Sequence, residues 1–303
     1  MCGIAGVFRA SSSEPIEGAT IERMCDAMAH RGPDGAGVWT KAGEMHSAAL
    51  GHRRLSIIDL AGSPQPMHAA NGRATIVFNG EIYNYRALRT ELEAEGARFL
   101  THGDTEVILA AWQRWGMDCL ARLDGMFAFA LYDHDRRALF LARDRFGVKP
   151  LFLAQLPDGS LAFASELKGL LAHGGLARKL SPVALDAFMT WGYVPDTHSI
   201  LKGVTKLAAG HFLLLEAGKG MPAQRQWWDI DFSGRSEASE AELAEALRDH
   251  LARAVRSRME ADVPLGAFLS GGVDSSSVVA LMSEANDHPI TTCSIGFDEA
   301  SLD

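Results

Sequence analysis

The chain has 303 residues, 47% of them hydrophobic and 22% charged, with a formal net charge of -9. That composition fits a folded protein of about two domains and excludes disorder; the acidic balance argues against nucleic acid or anionic membrane as partner, while leaving room for a local pocket for a small anion. The four cysteines form no C-x-x-C pair, which removes zinc ribbons and dithiol motifs and suits a reducing cytoplasm; no apolar run reaches the roughly 18 residues of a membrane span, and no signal-peptide pattern opens the chain.

Cys2 stands directly behind the initiator methionine. With Met1 removed it carries a thiol and a free α-amine on one residue, and an amine of pKa roughly 8 can take the thiol's proton directly or through one water. Anywhere else a lone Cys reads first as a small buried hydrophobe. Residues 4–8 form a short apolar strand that would hold this terminus in a sheet. Ile21, Met24, Cys25 and Met28 recur at helical spacing. The helix stops at His30-Arg31-Gly32-Pro33-Asp34-Gly35, a dense turn in which His30 reads as structural. Strands are expected at 37–40, 47–51 and 55–58, with His52-Arg53-Arg54 between the last two; an arginine fork there can hold a carboxylate bidentately. After a loop over 62–66, the strand 74–78 runs into Asn79-Gly80-Glu81. Local rules make this a hairpin turn. The competing reading pairs the Asn amide with the Gly backbone N–H as converging donors of an oxyanion hole.

Leu88 and Leu92 mark one helix and 105–115 another, with Asp104 at the N-cap position. Four strands suited to antiparallel pairing follow at 126–132, 138–142, 151–155 and 161–164, with 143–150 as a salt-bridged corner. Many strands with few helices indicate an α+β or layered α/β domain. Composition changes after Glu216, giving a first domain over 2–218, a connector over 219–238 and a second domain over 239–303. Ser239 and Glu242 make a capping box, and Leu243, Leu247, Leu251, Val255 and Met259 follow as the buried stripe of a helix. Residues 263–269 lack polar alternation, as a strand buried on both faces of a parallel sheet does. They lead into Ser270-Gly271-Gly272-Val273-Asp274-Ser275-Ser276 and a helix. Glycines admit a ligand close to the backbone and the helix N-terminus offers free N–H groups, which together make a phosphate site; it is not the G-x-x-x-x-G-K-[ST] loop. Asp274 either caps the helix or helps to hold Mg²⁺. A further parallel strand over 291–297 brings Ile295 and Leu269 to the same end of adjacent strands, the carboxyl end, where such sheets bind ligands. About two strands are too few to bury a doubly wound core, so this domain is expected to be incomplete.

Taken together, Cys2-Gly3-Ile4, His30-Arg31-Gly32-Pro33-Asp34-Gly35, Arg54-Leu55-Ser56, Asn79-Gly80-Glu81, Gly103-Asp104-Thr105-Glu106 and the 143–150 corner resemble the class II glutamine amidotransferase domain. With Ser270-Gly271-Gly272-Val273-Asp274-Ser275-Ser276 behind them, the set is similar to the glutamine-hydrolysing asparagine synthetase family over essentially the whole chain. The resemblance implies an α+β / α/β chain: a four-layer αββα N-terminal-nucleophile glutaminase domain, then the first strands of a parallel-sheet ATP-pyrophosphatase domain. It implies Cys2 as the nucleophile on glutamine's side-chain amide with its own amine as base. It further implies Asn79 and Gly80 as oxyanion hole, Arg54 on the substrate's α-carboxylate, and Glu81 and Asp104 on its α-ammonium. For the second domain it implies Leu269, Ser270, Gly271, Gly272, Asp274, Ser275, Ser276 and Ile295 around ATP, with Mg²⁺ as cofactor. Ammonia would pass through a tunnel to an acyl-adenylate formed from aspartate or another carboxylate, in a cytoplasmic homodimer. The family continues well beyond the point where this sequence stops, so glutamine hydrolysis alone is expected of the sequence as given. The alternative is a glutaminase or amidase of the same fold with no ligase activity.

Overall fold

Burial along the first strand sets the architecture. In β1 (Gly3–Arg9), Ile4 and Phe8 belong to one apolar layer while Ala5 and Val7 belong to another, the period of two expected of a strand covered on both faces. The computed structural model describes residues 1–196 and 198–296, and the chain divides into two units, Met1–Ile230 and Asp231–Asp303.

The strands that follow in the first unit are β2 (Gly35–Ala42), β3 (Ser47–Arg54), β4 (Met67–His68), β5 (Ala74–Ile82), β6 (Gly125–Asp133) and β7 (Ala138–Arg143). They continue with β8 (Phe152–Gln155), β9 (Leu161–Ala164), β10 (Val204–Lys206), β11 (His211–Glu216) and β12 (Arg225–Gln226). They form two six-stranded antiparallel sheets, ordered β10-β8-β9-β1-β3-β2 and β12-β11-β7-β6-β5-β4. The helices are α1 (Gly18–Asp26), α2 (Tyr85–Ala94), α3 (Asp104–Trp115), α4 (Cys119–Arg122), α5 (Leu167–Ala172) and α6 (Pro182–Trp191). Ile4, Phe8 and Leu50 of the first sheet meet Val77, Ala128 and Tyr132 of the second in the central layer. Ile21, Met24 and Cys25 of α1 and Leu170 of α5 cover the outer face of the first sheet. Leu88 and Leu92 of α2 with Val107 and Ile108 of α3 cover that of the second. The order of layers is therefore α, β, β, α, and every fully buried Leu or Phe in it contributes ~1.5–3 kcal/mol.

Three local expectations change. Residues 55–58 are loop and not strand, because the Arg54 guanidinium donates to the carbonyls of Ile58, Asp59 and Leu60 and curls the chain back on itself. Asn79-Gly80-Glu81 is no turn: it lies inside β5, with Asn79 opposite Ala128 and Gly80 opposite Phe127. Glycine is required there because a Cβ on Gly80 would stand 2.2 Å from the Met126 carbonyl oxygen. The 143–150 corner is held mainly by its own backbone. Buried Asp144 accepts N–H groups from Phe127, Phe146, Val148 and Lys149 at 3.0–3.1 Å. Arg143 donates to the carbonyls of Gly147, Lys149 and Leu207 besides its ion pair with Asp196 at 2.9 Å.

The early part of the expected connector is built into the first unit: β12 pairs with β11, and Trp227 donates from Nε1 to the Arg143 carbonyl at 3.3 Å. In the second unit, α7 (Glu240–Ser257) opens on the expected capping box, Ser239 and Glu242 bonding each other's backbone. Its stripe is not buried, however: Leu243, Leu247 and Leu251 are exposed and Val255 alone of the helix is buried. The strand expected over 263–269 is only β13 (Gly266–Phe268), with Phe268 exposed, in parallel register with β14 (Thr291–Cys293) through α8 (Val273–Glu284). A sheet of two strands among the described residues has no second layer to bury either face. Phe297, the expected end of the last strand, lies outside the described residues. No helix among the described residues is long and apolar enough to cross a membrane.

Candidate active site

Cys2 immediately precedes β1, whose Gly3 pairs with Arg53 of β3. Continuing the parity of Ile4 and Phe8, its side chain is turned toward the layer between the sheets. The thiol lies against one peptide: the Leu55 N–H donates to Sγ at 3.4 Å and Sγ donates to the Leu55 carbonyl at 3.5 Å. The Cys2 carbonyl accepts from Arg31 Nε at 2.8 Å, and Arg31 pairs with Glu166 at 2.9 Å. Glu166 is shared with Lys168 and with His30, which is thereby structural. One step along, the Ile4 N–H donates to Ser165 Oγ at 3.0 Å. A chain end that would otherwise fray is tied at each of its first residues. Arg31 and Leu55 stood inside quoted motifs, yet their roles depend on pairing across the sheet that no local spacing reports.

Strand β5 supplies the second component. Residues of an antiparallel strand direct N–H and C=O alternately to its two sides. Phe78, Gly80 and Ile82 face the side where β4 has already ended, since β4 pairs only with Thr75 and Ile76. The Phe78 N–H goes to Gln65 Oε1 at 2.6 Å, and the Ile82 N–H to Asp104 Oδ2 at 3.0 Å. Between them, no hydrogen bond of the described residues ends on the Gly80 N–H. The Asn79 side chain has the parity of Val77, which lies in the central layer. Asn79 is 1% exposed, and neither Nδ2 nor Oδ1 has a partner. An unpaired buried amide costs about 1–3 kcal/mol, and such costs persist where a ligand is the partner.

Cys2, Arg54, Glu81 and Asp104 line one cleft, with Gln65 and Phe78. Arg54 spends Nη2 and part of Nη1 on the 58–60 carbonyls, which fixes the guanidinium and leaves its Nε–H and a second Nη1–H uncommitted. Asp104 is the first residue of α3 and not its cap, which is Gly103. Burial pushes its carboxyl up to about 7, with Glu81 adding repulsion and the bond from Ile82 opposing. Burial also raises Glu81, against the pull of Lys149. Lys149, itself buried, is lowered by burial and held up by Glu81; it is a neighbour of the cleft that the sequence reading missed, delivered by the Arg143–Asp144 corner. Burial raises the Cys2 thiol and lowers the terminal amine, which in this chain belongs to the exposed Met1.

The second candidate site brings Ser270, Gly271, Gly272, Asp274, Ser275 and Ser276 into one exposed turn at the head of α8. Gly271 has φ +81°, a conformation open to glycine at little cost. Ser275 Oγ accepts the Ser270 N–H at 3.3 Å and donates to the Gly272 carbonyl at 3.1 Å. Gly272 is the N-cap, so Asp274 does not cap the helix. Leu269 donates to the Cys293 carbonyl at 2.9 Å, continuing the β13–β14 ladder toward exposed Ile295. Among the described residues no group of three His, Cys, Asp or Glu is placed to hold a metal.

Two six-stranded sheets between helical layers, with a cysteine leading the inner strand, define the N-terminal-nucleophile class of glutamine amidotransferase fold. Solved structures agree at the level of fold: a glutamine phosphoribosylpyrophosphate amidotransferase from Bacillus subtilis superposes with TM-score 0.54 at 19% identity, covering 96% of this chain and 65% of that one. A structure described as the allosteric regulatory enzyme of purine biosynthesis gives 0.56, also at 19% identity, over 99% of this chain and 69% of that one. The family profile "Glutamine amidotransferase domain" matches residues 1–228 and "Asparagine synthase" matches 246–303; the chain belongs to the glutamine amidotransferase family. A putative glutamine-hydrolyzing asparagine synthetase of Mycobacterium bovis is 40% identical over 96% of this chain and 47% of its own length. Asparagine synthetase 3 of Bacillus subtilis is 36% identical over 99% and 48%. An amidase, chry2, of Gibberella zeae is 35% identical over 93% and 43%. The chain thus spans about half the length of the curated relatives it matches.

Proposed function

We propose that the first unit hydrolyses glutamine at Cys2 and that the chain is the amino-terminal part of a glutamine-dependent amide ligase of asparagine-synthetase type. The observation that carries the glutaminase half is the pair of uncommitted donors on β5, the Asn79 amide and the Gly80 N–H; they do not themselves line the cleft, but they stand directly before Glu81 and after Phe78, which line it together with Cys2. In this reading Cys2 Sγ attacks the amide carbon of glutamine as its proton passes to the α-amine freed by loss of Met1. Asn79 and Gly80 take the oxygen's developing charge, which is where such donors act most strongly. The proton then goes to the departing nitrogen, ammonia leaves, and water cleaves the thioester to glutamate. Arg54 grips the α-carboxylate with its remaining N–H groups, and Glu81 with Asp104 receives the α-ammonium.

For the second unit we propose ATP at the Ser270–Ser276 turn, where the first N–H groups of α8 meet phosphate and Leu269 and Ile295 meet the adenosine. Mg²⁺ in such sites is held by one or two carboxylates and the phosphates themselves; Asp274, freed from capping, fits that demand, and the ion would supply charge neutralisation. The acceptor is aspartate or another carboxylate activated as an acyl-adenylate, and the assembly a homodimer. In this scheme 2–218 is the glutaminase domain, 219–238 the connector and 239–303 the start of the synthetase domain.

Two assays separate the parts. The processed chain is expected to hydrolyse glutamine and to be labelled at Cys2 by an electrophilic glutamine analogue, both lost in Cys2→Ala; undiminished hydrolysis in that variant would sink the mechanism. Ligation is read, in a chain carrying a complete synthetase domain, as glutamine-stimulated conversion of ATP to AMP and pyrophosphate with a carboxylate acceptor; none is expected of residues 1–303 by themselves. No AMP with any acceptor leaves the glutaminase standing alone.

A further inference from the structure

His52 is 0% exposed and lies in β3 opposite Ile4 of β1. Its ring crosses the central layer and donates from Nε2 to the Phe78 carbonyl of β5 at 3.0 Å. That carbonyl faces the side that β4 has vacated, so no strand supplies a ladder partner for it. The Phe78 N–H on the same side is held by Gln65 Oε1. The peptide leading into Asn79 is therefore fixed at both its neighbouring polar groups by side chains, and the group on the nucleophile's sheet is His52.

The bond settles the tautomer: a carbonyl can only accept, so Nε2 carries the hydrogen and Nδ1 is the bare nitrogen. Nδ1 is buried and has no partner among the described residues. Leaving an acceptor buried and unpaired is a cost that an apolar residue of similar size would not incur. Burial, opposed by the bond to Phe78, pushes the ring down to about 4, so the ring remains a neutral single donor throughout the physiological range.

Resting on the proposed glutaminase reading, we propose that His52 is a positioning residue for the oxyanion donors: it sets the distance between the sheet that carries Cys2 and the Phe78–Gly80 peptides that receive the substrate's oxygen. It does not line the cleft that holds Cys2, and its bond goes to the Phe78 carbonyl and not to the thiol. Donors displaced by even a fraction of an ångström lose their aim at the transition state while the carboxylate and ammonium contacts at Arg54, Glu81 and Asp104 stay in place.

The test compares His52→Leu, which removes the donor, with His52→Gln, which keeps an N–H of similar reach, in the processed 303-residue chain. In His52→Leu, kcat for glutamine hydrolysis is expected to fall roughly ten- to a hundred-fold, less than the 10²–10³ of losing a donor outright, with KM within about threefold. Capture of Cys2 by a glutamine analogue that alkylates through displacement at carbon, a step that needs no oxyanion, should proceed at nearly the wild-type rate. His52→Gln should recover most of kcat. If His52→Leu does not fold, His52→Asn, whose amide is too short to span the layers, takes its place in the same comparison. Hydrolysis within threefold of wild type in the donorless variant overturns the proposal. So does parallel loss of hydrolysis and alkylation, which marks a purely structural histidine. Persistence of hydrolysis in Cys2→Ala would instead remove the glutaminase reading itself.

Discussion

Asp104→Asn isolates a large electrostatic cost in the first unit. The carboxyl is 7% exposed and stands at about 7 against an ordinary 3.8, chiefly through burial. Because the folded value is raised, the stability linked to this group is fully present below pH ~4 and is lost as pH rises through ~7, where the folded protein must ionise a buried acid. At about 1.4 kcal/mol per pH unit the loss amounts to ~4 kcal/mol in the substrate-free protein. Asparagine keeps an acceptor for the Ile82 N–H that now bonds Oδ2 at 3.0 Å, so the substitution removes the charge and spares the geometry. Urea unfolding of the first unit's transition at pH 5.5 and 8.5 should show the variant's stability relative to wild type ~2 kcal/mol greater at the higher pH, since the loss begins near pH ~4 and is only about half complete at pH 5.5. Wild-type kcat/KM for glutamine should climb through pH ~7 as the site acquires the charge that receives the α-ammonium. In the variant that limb should disappear, with KM raised roughly thirtyfold for the loss of a charged hydrogen bond of about 2 kcal/mol. The reasoning is refuted if the limb survives unchanged in Asp104→Asn, or if the stability difference between the two proteins is the same at both pH values.

Gly80→Ala would drive a methyl to within 2.2 Å of the Met126 carbonyl oxygen and 2.8 Å of Phe127 Cα; strand β5 must move, and a loss of about 1–3 kcal/mol in thermal unfolding is expected together with loss of kcat. Chain purified with Met1 attached, verified by intact mass, should hydrolyse glutamine far more slowly than the same chain after aminopeptidase treatment; equal rates would mean that the amine of Cys2 is not the base.

The layers of the first unit were legible because each strand is buried on both faces and each covering helix carries a clear stripe. Where the sequence misled, a long-range contact had overruled a local rule. Asn79-Gly80 has the composition of a hairpin turn, and only the close approach of β6 to Gly80 turns it into the middle of a strand. Residues 55–58 have strand-like composition, yet Arg54 needs their following carbonyls. Cys2, Arg54, Glu81 and Asp104 could be given roles from their motifs; Arg31, His52, Leu55 and Lys149 stood in the same stretches without a role, since each acts through a partner more than twenty residues away in the chain or through burial alone. In the second unit the apolar stripe of α7 was legible as a stripe and illegible as to burial, because periodicity says which face is apolar and nothing about what covers it.

The protonation state of the resting site bears on how the proposed reaction begins. Burial raises the Cys2 thiol. That displacement penalises the ion, so the resting site favours a neutral thiol over a thiolate. An α-amine, with an ordinary value of roughly 8, is well matched to take a proton near physiological pH. The thiolate then need not exist as a stable species, and proton transfer can accompany attack on the amide. Two charges appear in that step, a negative one on the substrate's oxygen and a positive one on the amine. The Asn79 and Gly80 donors, which have no partner among the described residues, are available to the first of these. The neutral resting state draws little on these groups and the charged transition state draws on all of them, so their interactions lower the barrier instead of tightening the ground state.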